Sequence, residues 1–318
     1  MLLGGVAAAL AARGDEVVCL QRSQMQAADG VCHVQGDVRD LQAVRAAAEG
    51  CAAIVHGAAR VGVLGSWEEF RSVNVDGTAN VLAAAQAAGV QRLVHVSTPS
   101  VAHSGHSLVG VGAEPAVTGR KGAFYAESKA IAERLALAAN APHLAVVAIR
   151  PHLVWGPGDT QLVGRIVERA AAGRLVMVGD GSALVDTTYI DNAISALIAA
   201  LDVVGPSAVC AGRAYVVANG EPRTVRELVE GICLAAGVPF APRQVPVGVA
   251  LRVGALVEKL WPRFRDGEPP ITRFVAEQLG TAHWFDPRPM HDDIGWAPHV
   301  TLDDGFQLLR RSFAVRGA

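Results

Sequence analysis

The sequence has no apolar run long enough to span a bilayer. It also lacks a basic segment ahead of its apolar opening, "MLLGGVAAALAARGDEVVCLQRS". An export signal needs cations before the apolar stretch, and here the first, Arg13, comes after it. Cysteine is sparse: Cys19, Cys32, Cys51, Cys210 and Cys233 are odd in number and scattered, with no CxxC pair. That pattern suits reduced thiols in a cytoplasmic protein and argues against a disulfide scaffold. Charge of either sign is not in excess. A net charge of -2 argues against nucleic acid as an obligatory partner. His103 and His106 have an HxxH look, but no carboxylate or cysteine cluster accompanies them, so no metal is expected. Repeats, low-complexity linkers and charge blocks are missing too.

What is present is apolar and regular. With 318 residues, 51% hydrophobic and 18% charged, the chain suits one large domain, or one domain with a smaller lobe. The opening apolar run reads as a helix closed by Gly14, followed by a short β-branched strand at 17–20. Helices are expected at 41–49, 75–88 and 125–140, and strands at 53–56, 93–97 and 145–150. This alternation, with nearly all-apolar strands, implies an α/β doubly wound parallel sheet covered on both faces. After Pro157 the rhythm loosens into amphipathic helices at 162–172 and 225–236. The expected plan is a nucleotide-binding domain of residues 1–157 plus about 183–218, with a substrate lobe of about 158–182 and 219–318. Asp191-Asn192 is expected to cap a helix at 193–201. Trp284, Phe285 and Trp296 are expected to pack the smaller lobe.

The stretch "FYAESKA" sets Tyr125 and Lys129 four apart near a helix start, on one face. A phenol normally keeps its proton to about pH 10. An ammonium one turn away favours the phenolate and brings acid–base work nearer neutrality. Taken alone, the same spacing fits an ordinary amphipathic helix with a surface Tyr and Lys. Three neighbours change the balance. "RLVHVSTPSV" puts hydroxyls at the carboxyl end of a strand, where ligands bind in open α/β sheets. "NVDGTANVLAAA" places Asn74 at the start of the helix leading into that strand, and "RPHLVWGPGD" follows the next strand with a Pro-Gly turn.

Together with "GDVRD" and "VHGAA", these motifs resemble the extended short-chain dehydrogenase/reductase superfamily over essentially the whole chain. The resemblance implies a Rossmann fold with a smaller carboxy-terminal lobe. It implies that Tyr125 exchanges the substrate proton, that Lys129 tunes it and holds the cofactor ribose, and that Thr98 orients the substrate oxygen, with Ser100 as second choice. Asn74 would hold a water that relays protons to Lys129. Asp37 and Val38 fall where the superfamily contacts adenine, Ala58 and Ala59 beside the cofactor backbone, and Pro151 to Val154 beside the nicotinamide. In place of the acid that would bond an NAD ribose, the chain has Gln21-Arg22. Arg22 is a cation fit for a 2′-phosphate, so NADP is expected over NAD.

The opening stretch matches the superfamily's first helix and the strand after it, with Gly4 or Gly5 near the third glycine of its phosphate turn. The expectation is therefore that in-frame sequence upstream of Met1 encodes roughly 10–15 more residues, a strand plus the start of the turn. In the second half, "VDTTYIDNA", "ANGEP" and "GEPPITRFVAEQLGTAHWF" look like the 3β-hydroxysteroid dehydrogenase-type branch. More narrowly they resemble bacterial 2-alkyl-3-oxoalkanoate reductases of olefin biosynthesis. That implies NADPH, a lipid-like keto acid substrate, and as partners a multienzyme olefin-synthesis complex or a second copy of the chain. Residues 247–264 would supply an apolar trough ending in Trp261 and Phe264, or else a core helix. Competing readings are a steroid or other alcohol dehydrogenase, an epimerase, and a catalytically silent dinucleotide-binding scaffold.

Overall fold

The computed structural model describes residues 1–23, 29–62, 64–102, 106–120, 123–264 and 273–316, without the side chains of 258–264, 273–275 and 316. The chain opens on α1 (Leu2–Ala12), turns at Gly14 with φ +96, and runs through β1 (Val17–Gln21) and β2 (Val31–Gln35). α2 (Leu41–Ala48) starts at Asp40, whose carboxylate accepts the N–H groups of Gln42 and Ala43. Then come β3 (Ala53–His56), the short α3 (Trp67–Phe70), a π-helical turn at Arg71–Asp76, α4 (Gly77–Ala87) and β4 (Arg92–Val96). β5 (Leu108–Val111) precedes α5 (Phe124–Ala138), which leads into β6 (Ala145–Pro151), β7 (Val154–Trp155) and α6 (Val163–Ala171). β8 (Val176–Val178), β9 (Leu184–Val185), β10 (Thr188–Tyr189), α7 (Ile190–Val203) and β11 (Ala214–Val217) follow. The rest comprises β12 (Arg223–Thr224), α8 (Val225–Ala236), β13 (Arg243–Val245), α9 (Val247–Phe264), α10 (Arg273–Gly280), β14 (His283–Phe285), α11 (Arg288–Ile294) and α12 (Leu302–Arg316).

The main sheet is parallel, in the order β11-β6-β4-β3, and every residue of β6 is buried. One face packs Val94, Val147 and Ile149 against Ala196, Leu197 and Ala200 of α7 and Val6 of α1. The other packs Leu93 and Val146 against Val81, Ala84 and Ala85 of α4, with Val44 of α2 and Ala136 of α5. Two covered faces explain why these strands read as continuous apolar runs rather than alternating ones. β1 and β2 form a separate parallel pair, in register from Val17↔Val31 to Gln21↔Gln35. β2 was not anticipated; "VCHVQ" is short, and its intermediate burial mixes apolar with polar positions. A second sheet, β12-β9-β14-β5, takes three strands from the less regular half and β5 from the first half of the chain. In a separate cluster with Tyr189, Trp155 of β7 stacks on Phe306 with ring centroids 4.8 Å apart. Gly305 lets α12 approach, since a Cβ there would lie 2.8 Å from Tyr189 Cδ2.

Two local expectations are corrected. α7 begins at Ile190, with Tyr189 as its cap residue and no side-chain cap bond. Asn192 therefore lies inside the helix, and its Oδ1 accepts the N–H groups of His299 and Val300. It cannot cap, because the extended residue that precedes the helix is Tyr189. Trp296 packs in the main core beside Met290 and Ile294 rather than in the smaller lobe, and its Nε1 donates to Ser195 Oγ at 2.9 Å.

Candidate active site

Parallel strands bring their carboxyl ends to one edge of a sheet, and most of the residues singled out in the sequence follow such ends. Arg22 comes one residue after β1, Asp37 and Val38 follow β2, Ala58 and Ala59 follow β3, and Thr98 follows β4. Pro151 ends β6, and Val154 begins β7. Between them Leu153 has φ +42, a strained value for a leucine. Asp37 is paired with Arg39 at 2.7 Å, which holds its carboxyl below the usual range, and the exposed Arg22 adds to that shift. Val38 lies against Gly77, where a Cβ would meet it at 2.8 Å. Gly4 and Gly5 both sit within α1. Gly4 faces open space, whereas a Cβ on Gly5 would come within 2.3 Å of Ile194 Cδ1, so Gly5 allows the close approach of α7.

Tyr125 and Lys129 occupy the first turns of α5. The Lys129 side chain is buried, and Nζ donates to Val96 O at 2.7 Å. Val96 lies one residue beyond the last β3–β4 partner pair, His56↔His95. Burial pushes Lys129 down to about 8, against the opposing charge of Glu133. Burial pushes Tyr125 up to about 12, against the favourable hydrogen bond with Thr98. The four-residue spacing therefore puts the two side chains on one face without making the ammonium the phenol's partner. The phenol stays protonated at neutral pH, and the lysine titrates near it.

Thr98 is the hydroxyl bonded to the phenol. Ser100 stands behind it: the two hydroxyl oxygens are 3.1 Å apart, and the Ser100 N–H donates to Thr98 Oγ1 at 3.3 Å. Asn74 lies in the π-helical turn rather than at the start of a plain helix. Its Oδ1 accepts the Arg60 N–H at 2.7 Å, and its Nδ2 donates to Arg60 O and, at 2.9 Å, to Ser128 Oγ. Ser128 Oγ in turn donates to Tyr125 O. Asn74 thus fastens the loop after β3 to the helix that carries Tyr125.

Sequence reasoning missed a buried polar band beneath this edge. His56 and His95 are neighbours on paired strands, with ring centroids 5.5 Å apart. His56 Nε2 lies 3.0 Å from Thr78 Oγ1. Burial and the Lys129 charge hold both imidazoles neutral, with His56 pushed down to about 3 and His95 well below its usual range. Arg150 of β6 is fully buried against Glu133 of α5, Nε to Oε2 at 2.7 Å. The available signal was a polar residue at matching places in "AIVH" and "RLVHVS". Among the described residues no group of histidine, cysteine or carboxylate side chains could hold a metal; His103 lies outside them. The side chains of Trp261 and Phe264, expected in a trough, also lie outside them.

Residues 13–245 match the family described as 3-beta hydroxysteroid dehydrogenase/isomerase. The chain is 47% identical over 311 residues to a 2-alkyl-3-oxoalkanoate reductase of Stenotrophomonas maltophilia, covering 96% of this chain and 94% of that one. It is 39% identical over 292 residues to a 2-alkyl-3-oxoalkanoate reductase of Shewanella oneidensis, covering 89% and 76%. Among solved structures, MoeE5 in complex with UDP-glucose and NAD matches with a TM-score of 0.73 at 23% identity, covering 98% of this chain and 95% of that one. An epimerase from Methanothermobacter thermautotrophicus matches at 0.78 and 19% identity, covering 99% and 89%. At such identities the structural likeness speaks for the fold alone.

Proposed function

The chain belongs to the 3-beta hydroxysteroid dehydrogenase/isomerase family, and on that premise we propose that it is an NADPH-dependent reductase turning a 2-alkyl-3-oxoalkanoate into a 2-alkyl-3-hydroxyalkanoate in long-chain olefin biosynthesis. The observation that carries the reading is a phenol held protonated up to about 12 and hydrogen-bonded to Thr98, on the helix that buries Lys129. Similarity to two reductases of that name supports the substrate class.

The residues fit a dinucleotide. Arg22 is an exposed cation at one strand end, next to Asp37 and Val38, and Ala58, Ala59, Pro151 and Val154 follow or end neighbouring strands. These groups would hold the cofactor, Arg22 taking a 2′-phosphate, with NAD as the weaker fit. When bound, the nicotinamide supplies a hydride to the ketone carbon. Tyr125 gives its phenolic proton to the oxygen that becomes the alcohol, and a protonated phenol is the form this direction needs. Thr98 donates a hydrogen bond to the same oxygen as charge develops there. Lys129 holds a proton at Nζ near neutral pH, ready to restore the phenol. The test is NADPH oxidation by the protein with 2-alkyl-3-oxo acids and, separately, with 3-ketosteroids. Turnover of the keto acids is expected. Turnover of steroids alone, or none with either, would overturn the reading.

A further inference from the structure

Lys129 is the most confined cation at this edge after Arg150, with 3% exposure. An ammonium carries three N–H donors, and buried donors are nearly always satisfied. Val96 O takes one of them. On either side of Val96 in the chain stand His95 and Ser97, which share one face of the strand line because side chains alternate. That face is the one covered by α4 and α5, since Leu93, two residues before His95, packs there with Ala84, Ala85 and Ala136. Both ring nitrogens of His95 and the Oγ of Ser97 are buried with no hydrogen-bond partner. His56, by contrast, is engaged by Thr78. Unfilled donors on Lys129 and unfilled acceptors on His95 and Ser97 therefore meet on one buried face.

We propose that His95 and Ser97 take up a second N–H of the Lys129 ammonium through a water held between them, and so act as positioning residues for the Tyr125–Lys129 proton supply. Such a water has three polar partners, within the two to four that buried waters typically have. A neutral imidazole keeps one nitrogen as an acceptor, the form that burial enforces on His95. The other groups facing Lys129 are accounted for. Glu133 on α5 favours the charged form, Arg150 on β6 is taken up by Glu133, and His56 on β3 is neutral. Tyr125 on α5 is held protonated, and Thr78 on α4 is uncharged.

The inference rests on the reductase reading only in that Lys129 serves Tyr125, and its test needs no substrate. The chain has three lysines, Lys121, Lys129 and Lys259. Labelling lysine with carbon-13 at Cε gives three NMR signals, and Lys129→Arg identifies the one of interest. In the wild type that signal should titrate at about 8. His95→Leu and Ser97→Ala should each lower the midpoint by about one pH unit, since each removes an acceptor from a buried charge. His95→Gln keeps an acceptor and should shift it less. Unchanged midpoints in the first two variants, or a His95→Gln shift as large as that of His95→Leu, would overturn the proposal. Ser97→Ala removes a single oxygen and decides the matter alone if His95→Leu does not fold. Failure to reduce any keto acid would sink the proposed function and leave this titration untouched.

Discussion

In the proposed reaction two side chains carry the chemistry, and burial sets both. With its phenol pushed up to about 12, Tyr125 is a donor at any ordinary working pH. Tyr125→Phe should cut reduction by about 10²- to 10⁴-fold, the usual worth of a general acid. NADPH affinity, read by fluorescence titration, should stay near the wild-type value, because only one oxygen is removed. A variant keeping more than about a tenth of the rate would show that the proton comes from elsewhere. Arg22 tests the cofactor. Arg22→Asp replaces an exposed cation by the kind of acid that bonds a ribose hydroxyl, so the ratio of kcat/KM for NADPH to that for NADH should reverse. An unchanged ratio would remove Arg22 from phosphate recognition.

At the scale of elements, the site depends on side chains that tie one segment to another. Asn192 of α7 accepts two backbone N–H groups from residues 299 and 300, joining the carboxy-terminal segment to the helix behind the main sheet. Asn192→Leu would strand both donors, a cost of about 3 kcal/mol. For a chain of this size that lowers Tm by about 4 °C, measurable by calorimetry. The Glu133–Arg150 pair works in the same way between α5 and β6. Glu133→Leu alone leaves a buried guanidinium without its carboxylate and should cost roughly 3–5 kcal/mol. Glu133→Leu combined with Arg150→Met should cost less than Glu133→Leu alone. A double variant less stable than the single one would contradict this account of the pair.

For the whole molecule, pH dependence gathers at buried titrating groups far apart in sequence. Asp186, buried between β9 and β10, accepts the N–H groups of Gly220 and Glu221, and burial still pushes it up to about 7. A carboxyl raised on folding binds its proton more tightly in the native state than in the unfolded chain. Its favourable contribution is full below its ordinary value of 3.8 and is lost as pH rises through about 7. His56 and His95 act oppositely, since lowered pKa values cost stability as pH falls below the usual 6.5. Denaturant melts of wild type and Asp186→Asn at pH 5 and pH 8 cancel the histidines. The wild type should lose about 2 kcal/mol more than the variant between the two pH values. Equal losses would mean that Asp186 is ionised throughout.

The alternation of apolar strands and alanine-rich helices was enough to determine the α/β architecture, because a sheet covered on both faces must be apolar along its whole length. The spacing of Tyr125 and Lys129, and the hydroxyls after β4, were equally legible, since local helix geometry and strand direction follow from nearby residues. Other features depended on partners distant in the chain. Asn192 reads as a cap until residues 299 and 300 arrive to bond it. Trp296 reads as part of the smaller lobe until Ser195 and the main core claim it. The phenol's pKa was read from its neighbour one turn away, yet Val96 draws that ammonium off and burial decides the sign. Periodicity and spacing are properties of short stretches of chain. Desolvation and hydrogen-bond satisfaction belong to the packed interior, and only the tertiary structure assembles it.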